Sequence, residues 1–346
     1  MKRKVLIVAP TQGVYGGIEV TVLTLAKWLA AHSHYEPVIA FKRVSRYDFK
    51  EELITTCEAS GIRFHLVERM SRDLLKLIHS VDLVHGHNPS PDVFLMAKLL
   101  AKPYLLTTHN YRRTSSSPGA WLRRMLVHSA DYRTYNSEFV HKTWETEPNP
   151  KSAVIPTLSE LPQLPPSSYQ RKGFFFVSRW IEKKGVRELI QAYQLAGLAP
   201  DEWPLMMAGR GPLEAWAKDY IAKHKLQGIH LLGFISEDTK NDQIARCKWM
   251  VTPPNTKEDM GLTPIEARHA GVPIIATRDG GIPESAGPAA LLCTPGSSAE
   301  LATLLRQAAA MSKEEYHARA QQGKDSLSSY LKPQSIYAEI YDELSQ

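Results

Sequence analysis

Two cations, Arg179 and Lys184, stand five residues apart in the stretch Arg179-Trp180-Ile181-Glu182-Lys183-Lys184-Gly185. Such a pair can clamp a diphosphate, the guanidinium acting as a planar fork and the ammonium as a point charge. The same charges also suit a solvated loop. Further along, Asn255-Thr256-Lys257-Glu258-Asp259-Met260-Gly261-Leu262-Thr263-Pro264-Ile265-Glu266-Ala267 carries two glutamates around a predicted helix start. The amides of Gly261, Leu262 and Thr263 at such a start would make a phosphate site, and Gly261 lets backbone approach closely. Glu258, in the loop ahead of the helix, is placed to meet sugar hydroxyls. Thr263-Pro264-Ile265-Glu266 reads equally well as a capping box with proline at the first helical position, in which Glu266 would do no more than satisfy the Thr263 amide.

Other polar groups narrow the chemistry. Gly13-x-x-Gly16-Gly17 follows an apolar run and precedes a helical pattern. It is either a tight strand-to-helix turn or a backbone that approaches a substrate at a helix N-terminus. It is not the Gly-x-Gly-x-x-Gly fingerprint, and the second strand ends in Lys42-Arg43 with no acid for a ribose, which disfavours a nicotinamide or flavin enzyme. His85-x-His87 has no obvious further ligands, and neither His-Glu-x-x-His nor Asp-x-Asp occurs. The expectation is therefore no metal and no cofactor. His109, at the end of another strand-like run, is either a packing histidine or a site residue.

These residues need elements to position them. Strand-like runs at Val5–Ala9, Pro37–Phe41, Ile62–Val67, Leu83–His85 and Tyr104–Thr107 alternate with helical patterns, the first from Glu19 to about Ala31. After Ser152–Ile155 and a proline-bearing linker, Leu161 to Ser168, the alternation restarts at Phe174–Ser178, Leu205–Ala208, His230–Leu232, Trp249–Thr252, Pro273–Thr277 and Ala289–Cys293, with a helix at Ser298–Met311. Strand–helix alternation implies parallel sheets covered by helices on both faces, and ligands of such sheets bind beyond the carboxyl ends of the strands. The 346 residues suit two domains. We expect residues 1–165 to form one and 166–333 the other, with a helix in 334–346 packing back on the first.

Bulk properties exclude several classes. Three dispersed cysteines give no disulfide framework or zinc knuckle and fit a reducing cytosol. The basic start Met1-Lys2-Arg3-Lys4 lacks the long apolar segment and cleavage site of a signal peptide, and no apolar stretch reaches membrane-spanning length. The net charge of +6 is concentrated: Lys102, Arg112, Arg113, Arg123, Arg124 and Arg133 stand against Asp131 alone in the segment from Lys102 to Arg133. Within it, Ala120–Ala130 reads as a basic amphipathic helix, Trp121, Leu122, Met125 and Leu126 on one face and Arg123, Arg124 and His128 on the other. This is either an ordinary helix with a solvated basic side or a contact with an anionic membrane or acceptor phosphate through Arg112, Arg113, Trp121, Arg123 and Arg124. No nucleic-acid-binding signature is present.

The two glutamates resemble the Glu-x7-Glu signature of the retaining glycosyltransferases of family 4. The resemblance extends along nearly the whole chain, in the family's order: Gly16-Gly17-Ile18-Glu19, Val84-His85-Gly86-His87, Thr107-Thr108-His109, Val177-Ser178-Arg179 through Lys184-Gly185, Ala208-Gly209-Arg210-Gly211-Pro212-Leu213, Leu232-Gly233-Phe234-Ile235 and Gly280-Gly281-Ile282-Pro283-Glu284. It implies the GT-B fold, two Rossmann-like doubly wound α/β domains facing across a cleft. It implies sugar transfer from a UDP- or GDP-linked donor to a glycan, glycolipid or lipid-linked acceptor, by a cytoplasmic protein that is either free or peripheral on the inner membrane face. Arg179 and Lys184 would hold the diphosphate, with the amides of Gly261, Leu262 and Thr263. Glu258 would contact the transferred sugar and Glu266 the ribose. Phe234 and Ile235 would hold the base, Gly16 and Gly17 would face the donor phosphates, and His109 would sit near the reacting sugar. The chain departs from the family at Met260, often aromatic, at Asn110, often Asp, and at Thr157-Leu158, often Asn-Gly. The competing reading is a GT-B-like partner subunit that binds a nucleotide sugar without turnover.

Overall fold

A computed structural model describes residues 2–13, 16–44, 48–156, 161 and 170–346. Its internal contacts divide the chain into Met1–Glu160 together with Leu331–Gln346, and Leu161–Tyr330. The expected edges at 165 and 333 fall slightly later than these, and the linker expected over Leu161–Ser168 lies, apart from Leu161, outside the described residues.

The first unit is a seven-stranded sheet of β1 (Arg3–Thr11), β2 (Tyr35–Arg43), β3 (Phe64–Val67), β4 (Leu83–His87), β5 (Tyr104–Thr108), β6 (Tyr132–Tyr135) and β7 (Ser152–Val154), in the order β3-β2-β1-β4-β5-β6-β7. Every pair is parallel. Val5, Leu6, Ile7 and Val8 are all buried because helices cover both faces, which is why a continuous apolar run rather than an alternating one makes this strand. One face packs on the helices Gly17–His32 and Ser335–Leu344, the other on Arg72–His79, Pro91–Leu99 and Pro118–His128. The last helix is tied to the first sheet: Tyr341 hydroxyl lies 2.8 Å from His85 Nδ1, and Tyr35 donates to Asp342 at 2.8 Å.

The second unit has β8 (Lys172–Val177), β9 (Leu205–Ala208), β10 (Ile229–Gly233), β11 (Cys247–Thr252), β12 (Ile274–Thr277) and β13 (Leu291–Cys293), all parallel, in the order β10-β9-β8-β11-β12-β13. Each sheet therefore reverses its winding once, between β1 and β4 in the first and between β8 and β11 in the second. Such a reversal splays the loops on either side of one crevice, where doubly wound folds bind ligands.

Two elements escape the sequence reading. β6 carries Arg133, which sequence reasoning counts with the surface charges. It is 5% exposed and paired with Glu145 at 2.5 Å. The basic segment thus presents less charge to solvent than its composition suggests. The helix Lys313–Tyr330 is also unforeseen; its Gly323 carbonyl and Ser326 hydroxyl receive the buried Arg268 guanidinium at 3.0 Å each.

Candidate active site

In the second unit the reversal point carries most of the residues that sequence reasoning singles out. The loop after β8 contributes Arg179 and, from a single 3-10 turn over Glu182–Lys184, Lys184. The loop after β11 contributes Glu258 and leads into the helix Leu262–His269. Lys184 Nζ donates to Glu258 Oε2 at 2.8 Å, so the expected diphosphate ligand and the expected sugar ligand meet across the reversal point. Both side chains are partly exposed, 23% and 20%, and remain open to a ligand. Arg179 is exposed and, among the described residues, enters no ion pair.

The loops are braced from below. Gly185 has φ of +75°, and a Cβ there would overlap the Pro253 carbonyl. Asn255 clasps the first loop from the second: its amide donates to the Lys183 carbonyl at 3.2 Å, and its side chain reaches the Glu182 carbonyl and Glu188 Oε1 at 2.7 Å each. Beneath Glu258, the Gly281 amide donates to the Glu258 carbonyl at 2.8 Å. Trp180, fully buried, donates its indole N–H to Ala208 at 3.0 Å and fixes the loop that displays Arg179.

The helix after Glu258 begins otherwise than expected. Gly261 is the N-cap and Leu262 the first helical residue, with no side-chain cap. Thr263 and Pro264 are therefore inside the first turn, and the capping-box reading of Glu266 fails. Glu266 instead accepts from Lys240 Nζ at 2.9 Å, and its Oε2 is buried without a partner among the described residues. The amides of Gly261, Leu262 and Thr263 lie where a helix leaves N–H groups without intrahelical acceptors, a setting that attracts anions. Gly261 needs its lack of side chain for packing: a Cβ would lie 3.0 Å from Ile282 Cδ1 and from the Pro264 ring. At the end of β10, Phe234 is 74% exposed and Ile235 is half-buried.

In the first unit the reversal point lies between β1 and β4. Gly16 caps the helix Gly17–His32 with extended backbone, φ −147°, so neither the tight-turn argument nor a left-handed conformation explains it. Among the described residues, a Cβ on Gly16 would meet only the Glu19 carboxylate, 3.4 Å away. Val14 and Tyr15 lie outside the described residues. His87 and His109 end adjacent strands, their rings stacked at 5.1 Å with His87 Nδ1 2.8 Å from His109 Nε2. His85 lies 4.5 Å from His87 ring to ring, and its Nε2 is hydrogen-bonded to the Thr107 hydroxyl at 2.7 Å. Burial drives all three imidazoles towards neutrality, His85 to about 3, His109 to about 4 and His87 well below its usual value. The Asn88 side chain accepts from the His109 amide at 2.9 Å, and the Asn136 side chain donates to the His109 carbonyl at 3.1 Å. Asn110 carries its carbonyl to the Trp144 indole at 2.8 Å.

The basic helix is found at Pro118–His128. Its apolar face divides: Leu126 and Val127 are buried, Leu122 packs on the core, and Trp121 and Met125 point outward at 66% and 40% exposure. Arg113, Arg123 and Arg124 are exposed, and Arg112 is half-buried. Sequence reasoning misses Lys240, Asn255, Asn88 and the role of His87 as a neighbour of His109. Only His87 carries a signal, its place at a strand end beside another strand-ending histidine. No described helix is long and apolar enough to cross a membrane.

Two family models match the chain, one in each half. Residues 15–158 match the family model for glycosyltransferase family 4, and residues 163–326 that for glycosyl transferases group 1. An uncharacterized glycosyltransferase of Bacillus subtilis, YqgM, is 24% identical over 226 residues, covering 61% of this chain and 63% of that protein. A GDP-mannose-dependent monoacylated alpha-(1-6)-phosphatidylinositol monomannoside mannosyltransferase of Corynebacterium glutamicum is 29% identical over 129 residues, 36% of this chain and 34% of its own. These alignments span less than two thirds of either relative. Among solved structures, a glycosyltransferase from Rickettsia africae superposes with a TM-score of 0.81 at 20% identity, covering 99% of this chain and 98% of that one. Anabaena HepE, in complex with UDP-glucose, superposes with a TM-score of 0.78 at 18% identity, covering 99% of both. With one model over its first half and the other over its second, and GT-B enzymes sharing its fold, the chain belongs to the GT-B glycosyltransferases of family 4 and group 1.

Proposed function

We propose that the protein transfers a sugar, with retention at the anomeric carbon and without a metal ion, from a UDP- or GDP-linked donor held on the second unit. The observation that carries the reading is the Lys184–Glu258 contact at the β8/β11 reversal point, beside the N-terminus of the helix Leu262–His269. As the glycosidic bond breaks, negative charge grows on the leaving diphosphate, and stabilisation must already be in place. Arg179, Lys184 and the amides of Gly261, Leu262 and Thr263 supply it. Glu258 takes the sugar hydroxyls, Glu266 the ribose, and exposed Phe234 with Ile235 the base. His109 on the first unit, uncharged at neutral pH, takes a hydrogen bond of the reacting sugar, and Gly16 and Gly17 approach the donor phosphates; for these three the family resemblance is the support. HepE is described with UDP-glucose and the Corynebacterium relative as GDP-mannose-dependent, and both donor classes suit this set of groups.

The acceptor in this reading is a glycan, glycolipid or lipid-linked sugar, as in surface-polysaccharide assembly, and the protein works at the inner face of the membrane. The supporting observation is the neighbourhood of Trp121 and Met125: the adjacent helix Pro91–Leu99 also presents Leu95 and Leu99 outward, at 56% and 84% exposure. Arg113, Arg123 and Arg124 are exposed in the same segment as Trp121 and Met125, and apolar insertion together with attraction to anionic lipid is the chemistry by which such residues bind a membrane.

Incubation of the purified protein with a panel of nucleotide sugars, scored for release of the nucleoside diphosphate and for anomeric configuration of the product, tests the activity. Binding without turnover on any donor and acceptor would instead establish a non-catalytic partner subunit. An inverted product would overturn retention.

A further inference from the structure

We infer that Lys240 is a positioning residue for nucleotide recognition: it holds Glu266 so that the carboxylate reads a ribose diol. The inference rests on the proposed ribose role of Glu266. Lys240 belongs to the helix Glu237–Arg246, which follows Phe234 and Ile235, whereas Glu266 belongs to the helix after β11. One ammonium thus ties the expected base loop to the expected ribose ligand.

The geometry is that of a built contact. Lys240 Nζ reaches Glu266 Oε1 at 2.9 Å and Glu237 Oε2 at 2.6 Å. Its side chain is 12% exposed and that of Glu266 8%, whereas Glu237 is 81% exposed and adds little in water. Burial alone would lower the Lys240 pKa, yet the two carboxylates, Glu266 foremost, raise it, so the ammonium stays charged. A carboxylate has two oxygens and several lone pairs. Here Oε1 is occupied once, and Oε2 is buried with no donor among the described residues. Leaving a buried charged acceptor unsatisfied is costly, so the site is poised for a ligand that brings hydroxyl donors. A vicinal diol brings two at the right separation for one carboxylate. Without Lys240 the Glu266 carboxylate would be a buried charge with no cation, free to rotate and costly to keep ionised.

The test measures binding of UDP and GDP, and of their 2′,3′-dideoxy analogues, by calorimetry to wild type, Glu266→Gln, Lys240→Met, Lys240→Gln and Lys240→Arg, with circular dichroism to verify folding. Wild type should prefer the better-bound ribonucleotide over its dideoxy analogue. Lys240→Met and Lys240→Gln should lose about 10- to 100-fold of ribonucleotide affinity, the range for one charge-assisted contact, and little of the dideoxy affinity. Lys240→Arg should recover most of the preference. If Glu266→Gln abolishes the ribose preference while both neutral Lys240 variants keep it, the Lys240 inference is wrong and the Glu266 reading stands. If wild type shows no ribose preference, or Glu266→Gln leaves it intact, the Glu266 reading fails and this inference with it. Equal losses for ribo and dideoxy ligands in folded Lys240 variants would make the lysine merely structural and also overturn the proposal.

Discussion

Acid should loosen the first unit through its buried histidines. His85 is completely buried, its Nδ1 against the Tyr341 hydroxyl and its Nε2 against Thr107, with the rings of His87 and Tyr337 alongside. None of these neighbours carries a negative charge to offset the cost of burying an imidazolium. In the folded chain, burial holds His85 near 3 and His109 near 4, and His87 well below its ordinary value, against about 6.5 when unfolded. The unfolded chain therefore binds more protons once the pH falls below about 6.5, so stability declines with falling pH until the folded imidazoles themselves titrate. At about pH 5 the deficit is about 2 kcal/mol for each of His85 and His109, about 4 kcal/mol for the two, and His87 adds in the same direction. A domain is typically stable by about 5–15 kcal/mol, so this is a large fraction. Urea unfolding of wild type and His85→Gln at about pH 7.5 and about pH 5, with hydrogen exchange at β4 and β5 to isolate the first unit, measures it. Glutamine can hydrogen-bond but not titrate, so the variant should lose about 2 kcal/mol of the pH dependence whatever its stability at neutral pH. Equal pH dependence in the two proteins would refute the account.

Other perturbations address the proposed chemistry. Arg179→Ala and Lys184→Ala should each lower kcat by about 10²–10³, and the double variant should lose less than the product, since both act on one diphosphate. Transfer should survive excess EDTA; activity abolished by the chelator and restored by magnesium or manganese would make Glu258 and Asp259 the first metal-ligand candidates. Glu266→Gln should raise the donor KM and Glu258→Gln should lower kcat; identical kinetic profiles would sink this division of labour. Co-sedimentation with vesicles containing anionic lipid should fall with added salt, and fall again in a variant with Ser at Arg112, Arg113, Arg123 and Arg124. Absence of binding by wild type at low salt would leave Trp121 and Met125 without that partner.

The sheets were legible because their strands are continuous apolar runs, the pattern that parallel strands buried on both faces impose. β6 was not, because Tyr132-Arg133-Thr134-Tyr135 puts a charge in its middle, and only the folded chain brings Glu145 to it. The helix Lys313–Tyr330 was hidden for a related reason: few of its residues are buried, so little apolar periodicity marks it. The ligand set at the β8 and β11 loops could be picked out from residue types at strand ends, and a doubly wound sheet implies adjacent loops; the side-chain contact of Lys184 with Glu258 could not be read. Local pattern also misled at Glu266. The Thr-x-x-Glu spacing suits a capping box, but the helix starts earlier, at Leu262, and the carboxylate finds Lys240 from a different helix. A partner so distant in sequence leaves no spacing to read.

Glu258 and Glu266 are each held by a lysine, and the difference between the pairs bears on how the proposed site works. Lys184 and Glu258 are 23% and 20% exposed, at the level of the open loops. Water screens such a pair, so exchanging one partner for a phosphate or a sugar hydroxyl costs little. If Lys184 serves the diphosphate and Glu258 the sugar, as proposed, the contact can open when a donor arrives. Lys240 and Glu266 are 12% and 8% exposed. Separating a pair at that depth strands a charge away from water, so this contact should persist with the donor bound and leave only Glu266 Oε2, with the spare lone pair of Oε1, for the ligand. The braces fit this division. Gly185 against Pro253 and Asn255 against Glu188 fix the backbone of the exchanging pair while its side chains remain free to part. Under the proposed transfer reaction, a site that binds and releases a diphosphate in every turnover needs one ion pair that yields and one that does not.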